Sequence, residues 1–254
     1  VSNFRKQIEL DAVENGVEHR IAIAGFGSLV GYNYNTEILT LEGTNSSFEL
    51  ENETGKVGVR YQNLNGTLYK KALVPYDSEI LDSSLAALDA YGATETDYGM
   101  EMAKNILDNN PSNGERNQAV VLFTDGSPTR GSVFDDEVAT NTIKYAKELK
   151  DKGIPVYTVG VYGENETQRD YIDQFMNYTS SNHPYATDCN HGGQKQSDDY
   201  YFTASNAGDL VDIFEQISES ISKPSVPLTT NTTIKDYMSN YFTIDTSKSY
   251  KVEK

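Results

Sequence analysis

Two apolar runs with an amphipathic helix between them constrain this chain more than any other feature. NQAVVLFTDG (Asn117 to Gly126) and IPVYTVGVYG (Ile154 to Gly163) are apolar through their centres and rich in β-branched residues, the pattern of strands buried on both faces of a parallel sheet. Between them VATNTIKYAKELKDKG has helical spacing, lysines in its last turns and Gly153 as a stop. Strand, helix and strand in that order are the repeating unit of a sheet covered by helices on both faces. The alternation continues on either side. Asp77 is placed to cap a helix that puts Ile80, Leu81, Leu85 and Leu88 on one face and ends at Gly92. TETDYGMEMAKNIL follows, with Tyr98, Met102, Ala103, Ile106 and Leu107 on one face. Downstream come a short helix around Tyr171 to Met176, a polar loop, the strand-like DDYYFTAS, and a helix through Leu210, Ile213, Phe214, Ile217 and Ile221 that halts before Pro224. The expected fold class is α/β, a doubly wound, mostly parallel sheet.

The first third is less regular. Val1, Phe4 and Ile8 have helical spacing with no N-cap in front of them, RIAIAGFGS (Arg20 to Ser28) reads as a buried strand, and TLYKKALVPY (Thr67 to Tyr76) as an edge strand. Within an insertion over 31–66, EILTLEG and KVGVRYQ are the candidates for a small hairpin. Residues 1–222 form the expected domain. The Thr- and Ser-rich stretch 223–254 is expected to be a linker or the start of a β-rich module.

Charge narrows the partners. Thirty-eight acidic against 21 basic residues give a formal charge of −17, which repels nucleic acid and anionic membranes and favours cations as small partners. Cys189 is the single cysteine, so neither an internal disulfide nor a cysteine-cluster zinc site can form. No apolar run approaches the roughly 20 residues that cross a bilayer.

Two clusters of oxygen donors fall where such a sheet binds ligands, at the carboxyl ends of its strands. Thr94, Glu95, Thr96 and Asp97 precede one helix; Thr124, Asp125, Gly126 and Ser127 follow one strand. Hydroxyls and carboxylates without imidazole or thiolate suit a hard cation such as Mg²⁺. The competing reading is that Asp125 and Thr94 only cap helices.

GATETDYGMEMA (Gly92 to Ala103) and VVLFTDGSPT, with RIAIAGFGS before them and YYFTASNAGDLVDIFEQI after, resemble a von Willebrand factor type A domain, particularly those of Gram-positive surface and pilus-associated proteins. The resemblance runs from about Val1 to Ser222. It implies a Rossmann-like fold with a metal-ion-dependent adhesion site, in which a D-x-S-x-S strand, a Thr and an Asp hold Mg²⁺, or Mn²⁺ or Ca²⁺. A protein ligand from a host or matrix completes the shell with its own carboxylate. Matching T-x-T-D-Y-G assigns the Thr to Thr94, and T-D-G assigns the Asp to Asp125; Thr96, Asp97 and Ser127 become second-shell candidates. The D-x-S-x-S strand is missing from its place ahead of the Val1 helix, so truncation before that motif is expected, with weak or absent metal binding by the chain as it stands. The function this implies is adhesion at a bacterial cell surface or wall, not catalysis: no base or nucleophile stands beside these oxygens. A metal-free stalk domain and a nucleotide-dependent enzyme are the alternatives; the latter lacks any G-x-G-x-x-G or P-loop.

Cys189, His191, Asp188 and His183 raise a transition-metal reading, which one thiol and two imidazoles on a polar loop support poorly. The Asn-x-Ser/Thr triplets at Asn45, Asn52, Asn65 and Asn177 are read as coincidence in an Asn- and Thr-rich chain.

Overall fold

A three-stranded parallel sheet organises the molecule. In the computed structural model, which describes residues 2–16, 18–28, 36–41, 58–88, 92–112, 116–162 and 169–222, its strands are Val120–Thr124 (β6), Val156–Val161 (β7) and Tyr201–Ala204 (β8), in that spatial order. Val120 lies opposite Val156, and Thr158 opposite Tyr201. Helix α5 (Asp136–Lys150) connects β6 to β7, and α6 (Arg169–Thr179) precedes β8. Alternate side chains go to opposite faces, as the pleat requires. Leu122 and Val156 pack with Ala139, Ile143, Ala146, Ile172, Phe175 and Met176 under α5 and α6. Tyr157, Val159 and Ala204 pack on the other face against Ile213, Phe214 and Ile217 of α7 (Ala207–Ser222), and α1 (Ser2–Asn15) lies against α7. Helices therefore cover both faces, as the continuous apolar runs predict.

Helix α4 (Thr96–Asp108) runs beside α5 and in the same direction: Thr96 meets Thr142 at one end, and Lys104 meets Glu148 at the other. Met100 and Leu107 face the sheet core, while Met102 and Ile106 face a second cluster with Ile38, Leu41, Val59 and Ala72. That second cluster sits under short antiparallel pairs. Glu37–Ile38 (β3) pairs with both Ala24–Gly25 (β2) and Val59–Arg60 (β4), so the two hairpin candidates do meet. Arg20–Ile21 (β1) pairs with Val74–Pro75 (β5).

The N-terminal third departs from expectation in three places. RIAIAGFGS is not one buried strand but two dipeptide strands in separate sheets, because its two halves take different antiparallel partners. Half of TLYKKALVPY is helical: α2 (Gly66–Lys71) starts because the Asn65 carboxamide accepts from the amides of Thr67 and Leu68, at 3.0 and 3.2 Å, and only Val74–Pro75 is extended. Asp77 does not cap α3 (Ile80–Ala86); Glu79 holds the N-cap position without a side-chain hydrogen bond, and Leu88 is exposed. Among the described residues the mostly parallel sheet expected across the whole domain is thus three strands wide, and the remaining strands pair antiparallel. The 223–254 linker reading lies outside the described residues.

Candidate functional site

Three loops meet at the carboxyl end of β6. The first is Gly27–Ser28, just after β2; the second is Gly92–Glu95, leading into α4; the third runs from Asp125 to Asp135, between β6 and α5. Backbone hydrogen bonds tie the second to the third: the Thr94 and Thr129 amides each donate to the other's carbonyl at 3.0 Å. The Glu95 amide donates to the Gly27 carbonyl at 3.2 Å, and the Ala93 amide to the Ser28 hydroxyl at 2.7 Å. Gly92 makes this approach possible. Its φ is +92°, and a Cβ there would stand 2.7 Å from Ser28 Oγ.

On this frame Asp125 is exposed, and its carboxylate has no hydrogen bond or ion pair among the described residues. Thr124 is buried and turns the chain by accepting from the Gly126 amide at 3.3 Å. The Thr94 hydroxyl likewise has no hydrogen-bond partner among the described residues and lies on the loop joined to the Asp125 loop. The loops that carry the sequence-assigned pair are therefore joined through Thr129. The three second-shell candidates part ways. Thr96 points away, its hydroxyl 2.7 Å from that of Thr142 in the α4–α5 interface. Asp97 is 2 % exposed and takes a 3.3 Å bond from Arg130. Ser127 is half-buried on the Asp125 loop and makes contacts of its own.

Arg130 escapes a motif search, yet it is the most connected side chain of the site. Nε donates to Glu95 at 3.2 Å, one terminal nitrogen to Asp97 at 3.3 Å and the other to Glu137 at 2.9 Å. Those carboxylates stand at the starts of α4 and α5, where the helix dipoles also favour negative charge. Burial pushes the Asp97 carboxyl up to about 6, against the pull of Arg130. Its Oδ1 is buried without a hydrogen-bond partner. The one available signal was compositional: Arg130 is the only basic residue between Arg116 and Lys144.

The Cys189 region does not converge. The thiol is buried against Thr140 and Asp136 of α5, His191 pairs with Asp188 at 2.8 Å, and His183 faces the Gly192 carbonyl. Among the described residues no group of three or more His, Cys, Asp or Glu side chains could hold a metal.

A family model described as von Willebrand factor type A domain matches residues 73–216, more than half of the chain and all of the parallel sheet. The chain belongs to the von Willebrand factor type A family. Neither a comparison with curated proteins nor one with solved structures gave a match. Type A domains generally mediate adhesion and protein–protein interactions, and often bind a divalent metal at an adhesion site. Thr94, Asp125 and Arg130 all fall inside the matched span. No helix among the described residues is long and apolar enough to cross a membrane.

The donor set fits such a cation. One exposed, unpaired carboxylate and a hydroxyl on two loops bonded to each other are oxygen donors of the kind Mg²⁺ prefers, though fewer than its six positions. The D-x-S-x-S spacing is not wholly absent from the chain. It occurs once, at Asp245, Ser247 and Ser249, after α7 and outside the described residues.

Proposed function

We propose that this type A domain is a cation-dependent adhesion module of an extracellular protein at a bacterial cell surface, of the Gram-positive surface or pilus-associated kind, and that it binds rather than catalyses. Asp125 carries the reading: a carboxylate exposed at the end of a buried strand, with no partner among the described residues, on a loop fastened to the loop of Thr94. Asp125 and Thr94 would hold Mg²⁺, or Mn²⁺ or Ca²⁺, and the bound ion would supply a positive, incompletely neutralised centre for the carboxylate of a protein ligand. Binding needs the two loops only to keep their separation, to which the Thr94–Thr129 backbone pair contributes.

The remaining ligands are proposed to come from a strand beside β6. Among the described residues β6 pairs on one edge only, with β7. Val120, Val121 and Phe123 of β6 stay half-buried, whereas the first five residues of β7 are fully buried. An open edge on a parallel sheet with helices over both faces is a seat for another strand. A strand parallel to β6 would end level with Asp125, so a D-x-S-x-S following it would face Thr94.

Calorimetric titration of the natural full-length protein with MgCl₂ tests both parts. Wild type is expected to bind, and Asp125→Ala and Thr94→Ala to lose binding and cation-dependent adhesion with the fold intact. Unchanged Mg²⁺ affinity in Asp125→Ala would sink the site assignment. Asp245→Ala is expected to bind as wild type does; loss of binding there would move the missing motif to the C-terminal segment.

A further inference from the structure

We infer that Arg130 is a positioning residue for the cation site, holding the Thr94 and Asp125 loops at the separation the ion requires. The inference rests on the cation-site reading above and adds to it the side chain that sets the site's geometry. Thr94 and Thr129 pair through their backbones, and the next residue of each, Glu95 and Arg130, pair through their side chains at 3.2 Å. The ion pair thus reinforces the backbone bridge at its very edge. Arg130 also reaches Asp97 inside the first turn of α4 and Glu137 inside the first turn of α5. One planar guanidinium therefore fastens the loop carrying Asp125 to the starts of both helices.

Burial makes the dependence strong. Glu95 is 5 % exposed and Asp97 2 % exposed; Arg130 pairs with both, and among the described residues it is the cation in ion-pair contact with Asp97. A carboxylate as far out of water as that of Asp97 is strongly disfavoured without a cation beside it, so removing Arg130 should drive the first turn of α4 outward, and Thr94 with it. Asp97 Oδ1 has no partner of its own, so the bond from Arg130 to Oδ2 orients that side chain. Lysine cannot substitute. A single ammonium lacks the fork that meets carboxylates on separate segments at once.

The test compares Arg130→Gln, Arg130→Lys and Lys150→Met in the full-length protein. Lys150 lies at the far end of α5 and touches none of the three loops, so its variant is matched for lost stability but not for lost positioning. Both Arg130 variants are expected to weaken Mg²⁺ binding at least about tenfold by calorimetry, while Lys150→Met melts lower yet binds as wild type does. Arg130→Gln affinity equal to or above wild type would overturn the inference, since removing a positive charge by itself favours a cation. Should wild type bind no Mg²⁺, the cation-site reading fails separately. Hydrogen exchange at the Thr94 and Thr129 amides then decides the clamp: faster exchange in Arg130→Gln supports it, and unchanged exchange refutes it.

Discussion

Asp97→Asn tests the electrostatics of the site through the pH dependence of stability. The carboxyl has an ordinary value of 3.8, raised to about 6 in the folded protein, mainly because it is buried and only partly offset by Arg130. At 1.36 kcal/mol per pH unit, that shift corresponds to about 3 kcal/mol. The sign follows from proton uptake. Between pH 3.8 and about 6 the folded state holds a proton that the unfolded chain has lost, so the Asp97 contribution to stability falls as pH rises through this window. Below the window both states are protonated and the carboxyl costs nothing; above it the full cost is present. Asparagine never ionises. Its unpaired amide shifts the absolute stability, but not the pH dependence of the difference between wild type and variant. Urea unfolding of both proteins at intervals from about pH 3 to about pH 8 should show wild type losing about 3 kcal/mol relative to Asp97→Asn across the window, and a constant difference on either side. A difference that stays flat within about 0.5 kcal/mol, or one that rises with pH, would refute the claim that burial outweighs Arg130 at this carboxyl.

Further substitutions test how the helices and loops pack. The Lys150 ammonium donates to the carbonyls of Tyr178, Thr179, Ser180 and His183, at 2.9 to 3.3 Å, and so closes the end of α6; burial pushes its pKa down to about 7. Lys150→Met should cost about 2 to 4 kcal/mol by orphaning those carbonyls, with faster hydrogen exchange confined to residues near Ser180, and a loss under about 1 kcal/mol would show that water replaces the ammonium. Gly99→Ala should reverse the usual helix preference for alanine: its Cβ would stand 2.6 Å from the Phe26 ring, so a loss of about 1 to 3 kcal/mol is expected on urea unfolding, while Gly126→Ala, with nothing within 4 Å, should stay near neutral.

Legibility in the sequence tracked how local each determinant was. The strands β6 and β7 and the helices α4, α5 and α7 could all be read from continuous runs and helical spacing, and two short motifs pointed to the loops of Thr94 and Asp125. Those are properties of neighbouring residues. Misreadings came where a local choice is decided by a distant or subtle partner: RIAIAGFGS splits because β3 and β5 each claim half of it, and TLYKKALVPY coils because Asn65 caps it. Thr96 looked like a site residue by position, but α5 offers the Thr142 hydroxyl and draws it away.

By itself the sequence determined the layered α/β architecture, the acidic character and the oxygen chemistry of the site, because burial pattern, charge and donor type are written residue by residue. Only the tertiary structure decided that Thr94 and Asp125 sit on loops bonded to each other, that β6 keeps an open edge among the described residues, and that Arg130 ties Glu95, Asp97 and Glu137 together. Apart from the Arg130–Glu137 pair, each of these joins residues about 30 or more apart in the chain, or concerns a partner lying outside a strand's own sequence, and no local pattern encodes such a contact.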